Sequence, residues 1–366
     1  MIYVFVCFLI LILALFIVLN GMISYAIFQV FGPLHDEDKS NSIKFSVVVS
    51  AKNEKKNIAK LIKALDAQDY PKDLYEVIIV DDNSDDCTYE TVLEHIKDKP
   101  NFSVIRAIDK PYPAKKGALS LGIGKAVNPF IITTDADCEP GKRWLKTFAM
   151  RFDSGYDIVF GLYSFYTTDS FVNKMSQFNH LRSSLLTFSA AYYKKPYCAG
   201  ASSFAFKKES FDALHGYKNT LETLSGDDDL LIREAVKHNM KIGTVTSPSA
   251  IVYTASKETI KDYLIQKARH TTTSNYYLPI HQFFLALWHF LNIGFLFSPV
   301  LYFITPLSLL PFVVKMLTDL MTIMLHQRKF RYFFNLPEVF FFQIIYELML
   351  IINYVNASYG RNKKWK

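Results

Sequence analysis

The sequence predicts an α/β domain with a mostly parallel sheet, flanked by apolar helices at both ends of the chain. Strand-like and helix-like segments alternate from Phe45 onward, the rhythm of βαβ units. Two of the strand-like segments run directly into neighbouring carboxylates. Charge is also excluded from two regions: no Asp, Glu, Lys or Arg precedes Asp36, and none lies between Arg269 and Lys315.

The first element is apolar. Ile2 to Leu19 holds 18 apolar residues without a charge, and apolar character continues to Phe31. About 20 such residues at ~1.5 Å each cover a hydrocarbon core, so this segment is expected to be an uncleaved transmembrane anchor. The start Met1-Ile2-Tyr3 lacks the basic region of a signal peptide.

The middle of the chain supplies the sheet. Phe45–Ser50, Glu76–Val80, Ser103–Arg106 and Phe130–Thr134 read as buried strands. Between them, Glu54–Leu65, Thr88–Ile96 and Ala118–Ala126 read as helices, the first with Ile58, Leu61, Ile62 and Leu65 on one face. A further amphipathic helix is expected over Leu230–Val236.

The C-terminal region is apolar again. Phe283–Ile304 and Leu307–Leu325 meet at Thr305-Pro306 as a helical hairpin, and Val339–Val355 follows the basic loop around Arg328-Lys329-Phe330-Arg331. The third segment carries Glu347 and reads equally as a spanning or an interfacial helix. Basic loops favour the cytoplasmic side, which places the 328–331 loop there. The expected division is an anchor over 1–33, a catalytic domain over 34–270 and a membrane region over 271–366.

Net charge is 41 minus 34, or +7. Residues 36–269 contribute 33 minus 31, or +2, and residues from 270 onward contribute 8 minus 3, or +5. A near-neutral soluble part excludes a nucleic-acid binder, and the basic end suits anionic lipid head groups. The four cysteines form no CxxC pair, so neither a zinc knuckle nor a disulfide framework is expected, and a reducing cytosolic setting is the plainer one.

Common signatures are missing: GxxxxGK[ST], a strand-to-helix GxGxxG, GxSxG and HExxH do not occur. What remains is carboxylates. Asp135 and Asp137, one residue apart at a strand end, suit a hard Mg²⁺ or Mn²⁺ shared with a diphosphate. Asp81 and Asp82 end the neighbouring strand, and open parallel sheets bind ligands beyond such ends. Asp227, Asp228 and Asp229 precede a helix; their mutual repulsion raises at least one pKa, as a general base requires. Gln266-Lys267-Ala268-Arg269-His270 places polar and cationic groups just before the apolar region.

In this order the motifs resemble a membrane-bound family-2 glycosyltransferase with a GT-A fold, over roughly residues 45–270. Val48–Glu54 is similar to the family's opening strand and NE turn, Asp81-Asp82-Asn83-Ser84 to DDxS, and Lys115–Leu119 to K-x-G-A-L. Asp135-Ala136-Asp137 resembles DxD, Cys198–Ala201 the acceptor-side segment, Asp227-Asp228 the ED pair, and Gln266–His270 QxxRW. The resemblance implies inverting sugar transfer from a nucleotide-diphosphate sugar, a UDP-sugar first, to a lipid-linked or polysaccharide acceptor. It also implies an integral membrane enzyme of the cell membrane, acting on the cytoplasmic face in cell-envelope polysaccharide chemistry. Asn53, Glu54, Asp81, Asp82, Lys115 and Asp135 would bind the donor, and Asp137 with Asp135 the metal. Gly200, Ala201, Asp227 and His270 would meet the acceptor. Asp228 would be the base, with Arg269 and Gln266 completing catalysis. His270 in place of tryptophan weakens the case for a processive synthase. Two other readings are a non-catalytic nucleotide-sugar-binding membrane protein and a nucleotidyltransferase, although Ala51–Glu54 is not the latter's basic, glycine-rich loop.

Overall fold

A computed structural model describes residues 2–32 and 43–359; the expected boundary at 33/34 and the basic tail Arg361–Lys366 lie outside the described residues. In chain order the elements are α1 (Ile2–Val30), β1 (Phe45–Ala51), α2 (Ile58–Asp66), β2 (Tyr75–Asp81), α3 (Thr88–Ile96), β3 (Phe102–Arg106), α4 (Ala114–Lys125), β4 (Phe130–Asp135) and β5 (Cys138–Pro140). Next come α5 (Trp144–Asp153), β6 (Ile158–Gly161), β7 (Tyr163–Phe165), α6 (Phe171–Tyr192), β8 (Phe204–Lys207), α7 (Lys208–Ala213) and α8 (Asp229–Lys237). The chain ends with β9 (Ile242–Val245), β10 (Val252–Thr254), α9 (Ile260–Ser274), α10 (Pro279–Phe297), α11 (Leu309–His326) and α12 (Leu336–Tyr359).

The described residues separate into two compact units, one of residues 43–166 and 194–256, the other of 2–32, 167–193 and 257–359. The first is an α/β unit. Its seven-stranded sheet has the order β3-β2-β1-β4-β8-β6-β9, with β8 the one strand antiparallel to its neighbours. Strands β1, β2 and β4 are Val- and Ile-rich and buried almost throughout, as a sheet covered on both faces requires. Val47, Val49, Val77, Ile79 and Ile132 join Leu61 and Ile62 of α2 and Phe148 and Phe152 of α5 in one core. Fully burying each such side chain contributes about 1.5–3 kcal/mol.

The direction of winding positions the site. From β1 the chain moves outward through β2 to β3, then returns to place β4 on the other side of β1. Ligands of open α/β sheets bind at such a switch point, beyond the strands' carboxyl ends. The register puts Asp81 opposite Ala51 and Asp135 opposite Ser50, so both carboxylates flank the end of β1 on one rim. A smaller sheet, β5-β10-β7, pairs the segment after Asp137 with β10.

The second unit holds four helical stretches long and apolar enough to cross a membrane: Val6–Val30, Pro279–Leu301, Pro306–Phe330 and Leu336–Ala357. The expected hairpin is present; Thr305 accepts a hydrogen bond from the Leu307 amide at the break before α11. Helix α6 was not expected from the sequence. Its side chains Asn173, Gln177, His180 and Arg182 are polar, yet all are buried. Each finds a polar partner. Gln177 donates to Asn173 (3.0 Å), and the Tyr332 hydroxyl meets His180 Nδ1 (2.9 Å). Burial holds the His180 imidazole neutral, at about 3.

Arg182 is the centre of a buried ionic cluster. It pairs with Asp319 of α11 at 2.7 Å and donates to Asn292 of α10 at 3.2 Å, while Glu347 of α12 lies 3.8 Å away. Lys315 of α11 completes the set, 2.6 Å from Asp319 and 3.3 Å from Glu347. Two cations face two anions, so Glu347, the charge that made the last segment ambiguous, is neutralised inside the helix bundle.

Candidate active site

The loops after β1 and β2 are zipped together, which explains why α2 begins at Ile58 instead of Glu54. Asn53, in the left-handed region at φ 56°, donates its amide to Ser84 Oγ (3.0 Å) and accepts the Asp85 amide on Oδ1 (3.0 Å). The Glu54 amide donates to Thr88 Oγ1 (2.9 Å) and the Lys55 amide to Asp86 Oδ2 (3.1 Å). The Glu54 carboxylate in turn accepts from Asn57 (2.7 Å). These side-chain bonds to backbone amides, with Asn53 in the left-handed region, hold the turn open beside the rim.

Asp81 and Asp82 sit buried at the floor of this rim. Asp82 Oδ1 pairs with Lys110 at 2.5 Å. Asp81 Oδ1 and Asp82 Oδ2 are buried without a hydrogen-bond partner among the described residues, which marks them as acceptors for a group that the polypeptide does not supply.

Helix α4 begins at Ala114 instead of Ala118, because its first turn buries two lysines that do not read as an apolar face. Gly117 permits this: a Cβ there would meet the Tyr112 carbonyl oxygen at 1.9 Å. Lys115 Nζ lies 2.7 Å from Asp135 Oδ1 and 2.8 Å from Asp227 Oδ2. Burial alone would pull its ammonium down, but Asp135 and Asp227 outweigh it and hold it well above the usual lysine range.

Asp135 is engaged on both oxygens, since Ser202 Oγ donates to Oδ2 at 2.9 Å. Asp135, Asp137 and Cys138 each offer one ligand atom within 4.8 Å of the others. The Cys138 thiol faces Asp137 Oδ1 at 3.6 Å, and burial, with Asp135 and Asp137 beside it, pushes the thiol well up. Two carboxylates at one turn suit a hard divalent cation.

The acidic run lies at the start of α8. Gly226, at φ 75°, turns the chain into it. Asp227 is buried against Lys115, and Asp229 accepts the Ala199 amide (3.1 Å), tying the run to the segment that contains Gly200 and Ala201. A Cβ on Gly200 would meet the Tyr163 ring at 2.9 Å, so the backbone here approaches an aromatic face closely. Asp228 retains partial solvent access. Burial, followed by Asp229 and Asp227, pushes its carboxyl well above the ordinary range.

The expected donor, metal and acidic-run residues therefore fall in one unit, where Lys115 joins Asp135 to Asp227. Gln266, Arg269 and His270 lie on α9 and belong to the other unit. Lys110, Ser202 and Cys138 were not singled out from the sequence; Cys138 alone carried a signal, its place next to Asp137.

The chain is similar to known proteins. The family model for Glycosyl transferase family 2 matches residues 46–214. Glycosyltransferase AglE of Haloferax volcanii is 31% identical over 117 residues, which span 32% of this chain and 38% of that one. A Methanococcus voltae enzyme, named as a dolichyl N-acetyl-alpha-D-glucosaminyl phosphate 3-beta-D-2,3-diacetamido-2,3-dideoxy-beta-D-glucuronosyltransferase, is 24% identical over 299 residues, 78% of this chain and 88% of that one. Among solved structures, the mannosyltransferase PcManGT of Pyrobaculum calidifontis, bound to GDP-Man and Mn²⁺, matches with a TM-score of 0.58 at 16% identity, over 96% of this chain and 99% of that one. That likeness agrees with the GT-A-type architecture of the sheet. With the matching model, the aligned relatives and the carboxylate-lined rim of this sheet, the chain carries a glycosyl transferase family 2 domain over residues 46–214.

Proposed function

We propose that this protein is an inverting, metal-dependent glycosyltransferase that moves a sugar from a nucleotide-diphosphate sugar, a UDP-sugar first, to a hydroxyl of a lipid-linked or polysaccharide acceptor. The single observation that carries this is Lys115, one buried cation gripping both Asp135 on the donor rim and Asp227 in the acidic run. Asn53, Glu54, Asp81 and Asp82 bind the nucleoside, with the unpartnered oxygens of Asp81 and Asp82 accepting from it. Asp137, with Asp135, would hold Mg²⁺ or Mn²⁺, which when bound supplies positive charge to a leaving diphosphate. Asp228 takes the acceptor hydroxyl's proton as that oxygen attacks the anomeric carbon, a role worth roughly 10²–10⁴-fold in rate. Its raised pKa suits a base. Gly200, Ala201 and Asp227 border the acceptor; the family resemblance adds acceptor contact for His270 and catalytic roles for Gln266 and Arg269, the last offsetting charge on the departing group.

A lipid-linked acceptor is favoured by the four apolar helical stretches and by the dolichyl N-acetyl-alpha-D-glucosaminyl phosphate in the Methanococcus voltae enzyme's name. The catalytic domain works at the cytoplasmic face, as the basic 328–331 loop supports. The proposed division remains an anchor over 1–33, a transferase domain over 34–270 and a membrane region over 271–366. A purified full chain incubated with UDP-, GDP- and dTDP-sugars and a divalent metal should release nucleoside diphosphate in the presence of a membrane lipid extract. Absence of release with every donor, alongside retained nucleotide-sugar binding, would leave a binding protein instead.

A further inference from the structure

Beside Lys115, the neighbouring Lys116 is buried, only 1% exposed, in the first turn of α4. A cation at a helix N-terminus faces the positive end of the helix dipole, and burial strips its hydration. Burial pulls its ammonium down to about 8, against the opposing charges of Asp227, Glu222 and Asp228. A charge kept in so unfavourable a place needs compensation. It donates to the carbonyl oxygen of Thr220 and, at 3.0 Å, to that of Thr223.

Those carbonyls belong to the segment 219–226, which enters the acidic run without joining any strand or α-helix. A second buried cation grips the same segment. Arg233 of α8 donates to the Asn219 carbonyl at 2.6 Å and pairs with Glu222 at 2.8 Å. The segment is thus fixed through its backbone by α4 on one side and α8 on the other.

We infer that Lys116 is a positioning residue for sugar transfer: by holding the Thr220 and Thr223 carbonyls, it fixes the segment that delivers Asp227 and Asp228, and so sets where the base stands. The inference rests on the proposed function. Adjacent lysines on one helical turn divide the work. Lys115 grips side chains of the site, and Lys116 grips the backbone that leads into it.

The test measures kcat, acceptor KM and nucleotide-sugar Kd for the full-length chain with Lys116→Met, Lys116→Gln and Lys116→Arg, each also combined with Asp228→Asn. A displacement of about 1 Å at a reacting group lowers rate by up to about 10²-fold. Lys116→Met and Lys116→Gln should therefore lower kcat by about 10- to 100-fold and leave donor Kd within about twofold. Lys116→Arg, which keeps the charge and N–H donors on a bulkier group, should recover part of the rate lost in the neutral variants. In an Asp228→Asn background, Lys116→Met should cause no further loss, since a misplaced base that is already absent costs nothing more. Unchanged kcat in either neutral variant overturns the inference, as does a loss that simply multiplies with that of Asp228→Asn. If Lys116→Met fails to fold, Lys116→Gln carries the same test; if both fail, Lys116 is structural and the inference falls. An Asp228→Asn variant with undiminished turnover instead removes the assigned base, and this inference with it.

Discussion

Lys115 and Asp227 meet at 2.8 Å, and the same ammonium lies 2.7 Å from Asp135, so a strand end and a distant acidic run share one buried cation. Removing it leaves two carboxylates facing each other. Breaking a buried charge pair in this way costs about 3–5 kcal/mol. Lys115→Met should lower the thermal midpoint of the detergent-solubilised protein and reduce kcat/KM by more than about 10²-fold. A stable variant with full turnover would remove Lys115 from the site. The raised pKa of Lys115 means that its stabilisation is complete below the unfolded lysine value of 10.5 and is lost only as pH rises through the still higher folded value.

Asp228→Asn should abolish transfer, by roughly 10²–10⁴-fold, with nucleotide-sugar affinity nearly intact. Titration calorimetry alongside turnover separates the two quantities; loss of affinity equal to the loss of rate would make Asp228 a donor ligand.

The Asp228 carboxyl must be ionised to act as a base, and burial with Asp229 and Asp227 raises its pKa. Activity should then fall, as pH is lowered, through a limb lying above the usual carboxylate range. Asp229→Asn removes one opposing negative charge, so it should move that limb toward lower pH. A pH–rate profile of kcat/KM checks the direction; a limb that stays in place argues against Asp228 as the titrating group.

Asp137→Ala should remove metal dependence and donor affinity together, while chelation of the unaltered protein should stop turnover reversibly on return of Mg²⁺ or Mn²⁺. Electron paramagnetic resonance of bound Mn²⁺ reads the site without relying on activity, and undiminished Mn²⁺ binding by Asp137→Ala would place the ligands elsewhere.

Arg182→Met leaves Asp319 and Glu347 facing Lys315 alone, an uncompensated buried charge that should destabilise the helix bundle by about 3–5 kcal/mol. Arg182→Met with Asp319→Leu restores neutrality through the remaining Lys315–Glu347 pair, 3.3 Å apart, and should recover much of the thermal midpoint. An equal loss in the double variant would show that packing, not charge balance, sets the stability there.

The sequence by itself determined the strands β1, β2, β3 and β4, because apolar runs bounded by polar turns have one plain outcome in an α/β chain. It also determined the four apolar helical stretches and the carboxylates, since length without charge and acidic residues at strand ends are local properties. Tertiary structure decided what local patterns cannot encode. Helix α6 buries Arg182, His180 and Gln177 beside its apolar residues, and these are tolerable only because Asp319, Asn292, Tyr332 and Asn173 partner them in the folded chain. In the same way, the two lysines of α4 read as solvated charges until folding brings Asp135 and Asp227 to Lys115, and the Thr220 and Thr223 carbonyls to Lys116. A buried charge is stable only with partners, and those of Lys115, Lys116 and Arg182 lie far away in sequence, so their meaning emerges only once the fold has set the distances between them.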